Sequence, residues 1–156
     1  MMPARMEYRL IGAGWAMCDV TVGDLQATVA ASYLGDALNE LLGATLNALK
    51  GTRYSVARFC DEPGEYRFVL VPEGAFVRVQ ILEFSEIWSD EPDDFGEVKL
   101  EATCGLREFA EAVLSAAREV LNTHGLKGYK ENWRKHDFPL EAMNNLSCAL
   151  RGGTLH

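Results

Sequence analysis

The sequence predicts an α+β fold: an antiparallel sheet of about five or six strands, with two main helices and a C-terminal helix packed on it. Three observations carry that expectation. The stretch LREFAEAVLSAAREVL spaces Leu106, Phe109, Ala110, Val113, Leu114, Ala117, Val120 and Leu121 three and four residues apart, which gathers them into one stripe of a helix. Arg107, Glu108, Glu111, Ser115, Arg118 and Glu119 fill the other side, so this helix needs an apolar surface to lie on. The segments before it read as strands joined by short reversals, in the order β-β-α-β-β-β-β-α-α. Parallel crossovers would need strands alternating with helices throughout.

Taken in order, residues 6–34 read as a hairpin. Trp15 to Val22 and Leu25 to Ser32 flank Gly23-Asp24, a pair suited to a two-residue turn. The first arm begins near Glu7, with Gly12 and Gly14 as a bend or bulge. Asp36 is placed to cap a helix over Ala37 to Lys50, whose stripe is Leu38, Leu41, Leu42, Thr45, Leu46 and Leu49. Gly43 weakens that helix by ~1 kcal/mol against alanine, and Gly51 stops it. Tyr54 to Asp61, Tyr66 to Val71 and Phe76 to Phe84 follow as strands. Pro63-Gly64 suits a type II turn. In the third strand Val77, Val79 and Ile81 share one parity and Phe76, Leu82 and Phe84 the other, as expected where both faces are partly covered. Ser89 to Gly96 reads as an exposed acidic loop. Val98, Leu100, Ala102 and Cys104 then line one face of a last strand. After the long helix ends near His124-Gly125, a turn rich in bulky side chains leads to a terminal helix with Pro139 in its first turn.

The 156 residues fit one domain, 1–156, with frayed ends at 1–5 and 151–156. Asp and Glu number 23 against 15 Lys and Arg, a formal charge of −8. That balance disfavours nucleic acid and anionic membranes, and favours basic partners if it does more than keep the chain in solution. No stretch approaches the roughly 20 apolar residues of a membrane span. MMPARMEYRL lacks the long apolar run of a signal peptide, so a cytoplasmic location is expected. Cys18, Cys60, Cys104 and Cys148 form no CxxC pair, and SDEPDDFGE does not follow the calcium-loop order, so neither metal nor cofactor is expected.

Two stretches are candidate sites. In the acidic loop, Trp88 stands beside Glu91, Asp93 and Asp94, an aromatic anchor ringed by carboxylates that suits a partner carrying Arg and Lys. The alternative is a solvated loop whose aromatics fold back over the sheet edge. In the C-terminal segment, Trp133, His136 and Asp137 could line a small-molecule or enzymatic pocket, since a carboxylate next to an imidazole can orient or charge it. There the alternative is structural: Asp137 capping the last helix, with Tyr129, Trp133 and Phe138 closing the core while Lys127, Lys130, Arg134 and Lys135 stay in water. No catalytic residue is singled out. A strand edge paired across a homodimer is a further possibility.

The DEPGEYRFVL turn and strand, the amphipathic helix and the closing GLKGYKENWRKHDFPLEAM together resemble small uncharacterised bacterial α+β proteins, some of them similar to immunity proteins of polymorphic toxin systems. The resemblance spans about the last hundred residues at the level of pattern. It implies a non-enzymatic cytoplasmic binder that covers the active site of a toxin domain, and it carries over no catalytic residues.

Overall fold

The computed structural model describes residues 3–152. It is α+β with antiparallel sheets, but the strands divide into two sheets rather than one. The first holds β1 (Ala4–Gly12), β2 (Trp15–Val22) and β3 (Leu25–Ser32). The second holds β4 (Ser55–Cys60), β5 (Glu65–Glu73), β6 (Phe76–Phe84) and β7 (Glu97–Gly105), each sheet ordered as in the chain. Two local events cause the division. Gly12, Ala13 and Gly14 all take positive φ, at 99°, 55° and 81°, which turns the expected bend into a full reversal and adds β1. A side chain at Gly14 would strike the Tyr33 ring at 2.5 Å, so only glycine lets the turn lie under that ring. Helix α1 (Ala37–Leu49) then carries the chain from β3 to the second sheet. Strand β1 begins at Ala4, and the terminal helix α3 (Leu140–Gly152) reaches Gly152, both within stretches that the sequence reads as frayed. The remaining end residues lie outside the described range.

Other expectations are corrected at the level of single residues. Glu62–Pro63 is cis, and Gly64 does not take the positive φ that a type II turn needs. Gly64 is there because a Cβ would stand 2.3 Å from the Phe84 carbonyl oxygen. Asp36 occupies the N-cap position of α1, but its side chain caps nothing. Val98 is exposed although Leu100, Ala102 and Cys104 are buried, because the β6–β7 register shifts between Ile81 and Leu82 and turns Val98 out of the expected face. The long helix α2 (Leu106–Trp133) continues past its expected end. Only Gly125 (φ 70°, ψ 176°) leaves helical geometry, so a first limb of residues 106–124 is followed by a second of 126–133.

One core joins both sheets and the helices. Alternation puts Ala16, Cys18, Val20 and Val22 of β2 and Val77, Val79 and Ile81 of β6 into it, facing Leu38, Leu41 and Leu42 of α1 and Phe109, Val113 and Ala117 of α2. Aromatic rings bridge the sheets: Tyr8 meets Phe59 edge-on at 6.3 Å, and Phe59 lies 4.8 Å from Phe68. The second limb of α2 closes one end with Tyr129 and Trp133, while Phe138 packs edge-on to Tyr129 at 5.3 Å. Lys127, Lys130, Arg134 and Lys135 stay exposed around them. The second sheet also has a smaller apolar cluster on its outer face, Val69, Leu82 and Phe84 with Val56 and Val71. The acidic loop crosses that face.

Candidate functional site

A residue the sequence does not mark holds the acidic loop in place. Arg67 of β5 points to the outer face, where register sets it opposite Arg58 and Leu82. It is only 3% exposed, and every nitrogen of its guanidinium is used. Nε donates to Glu65 at 2.8 Å. Nη1 donates to the Glu91 carbonyl at 2.8 Å and to Asp93 at 2.9 Å, and Nη2 to the Ser89 carbonyl at 2.9 Å. The group lies 3.8 Å over the Phe84 ring. Glu65 is fully buried and is shared with Arg58 at 3.4 Å. Tyr54 donates to Asp93 from the far side. Gly96 lets the returning chain touch Phe84 and Leu82, since a Cβ there would meet the ring at 2.7 Å. The loop is therefore pinned to the sheet through Arg67 and the buried Glu65, with Asp93 turned inward and Trp88, Glu91, Asp94 and Phe95 exposed.

That pinning separates the four loop residues by role. Asp93 is structural, held by Arg67 and Tyr54. Trp88 is 59% exposed with φ 51°, and Glu91 and Asp94 are exposed. Glu91 lines a groove of about 560 Å³ with Asp61 and Glu62 of the β4–β5 turn, Glu83 of β6, Glu97 of β7 and the ring of Phe95. Asp93 and Asp94 line a smaller one of about 360 Å³ beside Gln80, Leu82 and Val98. Phe95, 69% exposed, stands at the first groove. Two of its carboxylates are partly neutralised, since Lys99 pairs with Glu83 at 3.2 Å and Glu97 at 3.3 Å. Partial burial, followed by the charges of Glu83 and Glu62, pushes the Asp61 carboxyl up to about 6. The sequence reading missed Asp61, Glu62, Glu83 and Glu97 as a set, because they come from three separate strand ends. Their one local signal is the Asp61-Glu62 pair at a strand end.

The C-terminal candidates are brought only partly together. Trp133 is fully buried, and its indole N–H donates to the Gly35 carbonyl at 3.1 Å. His136 Nδ1 lies 3.7 Å from Asp36 Oδ2, longer than a hydrogen bond. Asp137 turns outward to Lys130 at 3.1 Å, so the three residues do not converge. Behind Asp36 the Tyr8 and Tyr129 hydroxyls are buried. Burial, reinforced by the Asp36 charge, raises both phenols well above their usual range, so they stay protonated. Burial likewise pushes the Cys60 and Cys104 thiols up to about 11 and raises Cys18 further, the opposite of what a thiolate nucleophile needs. Among the described residues, no group of three or more His, Cys, Asp or Glu side chains is arranged to hold a metal. No helix among them is long and apolar enough to cross a membrane.

The chain matches no protein-family model, no curated protein and no solved structure. Its function is therefore read from geometry.

Proposed function

We propose that this chain is a cytoplasmic binding protein whose acidic outer face meets a basic protein partner, in the manner of an immunity protein covering a toxin domain. The observation that carries the reading is the groove of Asp61, Glu62, Glu83, Glu91 and Glu97 beside the exposed Phe95 ring, walled on one side by a loop already held in place by Arg67. Of these five carboxylates Lys99 pairs with Glu83 and Glu97, which leaves negative charge for an incoming guanidinium or ammonium group. Phe95 and Trp88 offer flat rings on which an arginine can stack. A pinned loop also loses little conformational freedom on binding, where ordering each long side chain costs about 0.5–1.5 kcal/mol. The reading is favoured over a pocket at the C-terminal helices, because Trp133 is sealed in the core and Asp137 faces away from His136.

The test is affinity capture from the native host with the wild-type chain and with the triple variant Glu62→Lys, Glu91→Lys and Asp94→Lys. Asp93 is left intact because it anchors the loop. A basic protein held in stoichiometric amount, released by salt and lost with the triple variant, is the expected result. Capture that survives both the triple variant and high salt would overturn the reading.

A further inference from the structure

The phenol oxygens of Tyr8 and Tyr129 and Oδ1 of Asp36 are buried and have no hydrogen-bond partner among the described residues. Buried polar groups are nearly always bonded, and one left unmatched is destabilising. These three come from β1, from the second limb of α2 and from the turn before α1. Their neighbours bring them towards one place. Tyr8 sits at the middle of β1 on its inward side and is 3% exposed. Tyr129 is fully buried, with the Trp133 ring at 6.3 Å and the Phe138 ring at 5.3 Å. The Trp133 indole N–H donates to the Gly35 carbonyl, one residue before Asp36, which sets the Tyr129 limb against the start of α1. Burial raises both phenols. Tyr129, Cys18 and Asp36 add to the rise at Tyr8, and Asp36 to that at Tyr129, so the groups lie within each other's field.

Asp36 gives an independent sign. It holds the N-cap position of α1, where an aspartate ordinarily accepts from the helix's own N–H groups, yet its side chain caps nothing. Oδ2 instead stands towards His136, and Oδ1 is kept in the interior. The chemistry at this point selects the occupant. Both phenols stay protonated and can donate, while the Asp36 carboxylate accepts. A carboxylate repels an anion, and three oxygens are too few for calcium or magnesium, which take about six or more. Water accepts from two phenols and donates to a carboxylate at once, about the three bonds that internal waters make.

We infer that Tyr8, Tyr129 and Asp36 form an internal water site, of one or two molecules, that ties β1, the second limb of α2 and the start of α1 together. The site lies in the core and does not depend on the acidic outer face.

A high-resolution crystal structure of the full chain tests the inference directly. It should show water within hydrogen-bond distance of all three oxygens, either one molecule or two bonded to each other. Urea unfolding of Tyr8→Phe, Tyr129→Phe and the double variant supplies a test with a sign, because phenylalanine keeps the ring and removes only the hydroxyl. If water bonds the phenols, each single variant should lower the folding equilibrium constant about fivefold. The double variant should lower it by well under the product of the two, since the first substitution already releases the shared water. An orphaned hydroxyl behaves in the opposite way, and its removal leaves stability unchanged or raised. Phenol and carboxylate oxygens bonded directly to one another, three oxygens without water, single variants as stable as the wild type or more so, or fully additive losses would each overturn the inference.

Discussion

Arg67 shows how much one side chain can organise when all of its donors are used. Its guanidinium holds the Ser89 and Glu91 carbonyls and Asp93, while the buried Glu65 balances its charge. Removing one member of such a pair leaves the other buried and unmatched, which costs about 3–5 kcal/mol. Arg67→Met should lower the urea-unfolding free energy by about that much, and should expose residues 85–96 to protease below the global transition. Adding Glu65→Leu should recover a large part of the stability but not the protection of the loop, since the clip is still absent. Asp61 supplies a second test. Its carboxyl is raised to about 6 in the folded chain, above the ordinary carboxylate value of 3.8, so protonation favours the folded state. Its contribution to stability is thus present below the ordinary carboxylate range and lost as pH rises through about 6. The melting temperature of the wild type relative to Asp61→Asn should fall between pH 4 and pH 7. A basic partner in the groove favours the ionised form, so binding should strengthen over the same interval and release a proton, visible by calorimetry in buffers of different ionisation enthalpy.

At the scale of elements, two glycines in helices have opposite meanings. Gly43 of α1 has helical geometry, and an added Cβ would meet nothing within 4 Å. Gly43→Ala should therefore raise stability by about 0.5–1 kcal/mol. Gly125 sits at φ 70° and ψ 176°, a conformation open essentially to glycine, and it aims the second limb of α2 so that Tyr129 and Trp133 reach the core. Gly125→Ala should cost about 1–3 kcal/mol, read as a lower midpoint in denaturant. From sequence the two glycines differ only in that one follows a histidine at the end of a stripe. Most strand positions were legible, because alternation is a property of neighbouring residues: β2, β3 and β6 have the ends that alternation and the Gly23-Asp24 turn predict. The register shift that exposes Val98 was not, since it depends on how β6 and β7 meet.

For the whole molecule, the charge of −8 becomes informative only once its placement is known. Five carboxylates from the β4–β5 turn, β6, the acidic loop and β7 converge on one groove. A partner drawn by that field should associate more slowly as salt rises, by a large factor for the wild type and a small one for the triple lysine variant, measured by stopped-flow fluorescence. The loop candidates Trp88, Glu91, Asp93 and Asp94 were visible in sequence as acidic residues around an aromatic. Their division into outward side chains and the anchoring Asp93 was not, because it is Arg67, 26 residues before Asp93, that separates them.

The sequence by itself determined the α+β class, most strand and helix positions, and the presence of an acidic, aromatic-bearing loop, since each follows from spacing within a few residues. The tertiary structure alone decided that there are two sheets, that the loop is clipped to the outer face of one of them, and that carboxylates distant in the chain share a groove. The physical reason is range: periodicity and turn chemistry act between near neighbours, whereas a buried ion pair, a sheet boundary and a shared groove exist only after remote segments have been brought into contact.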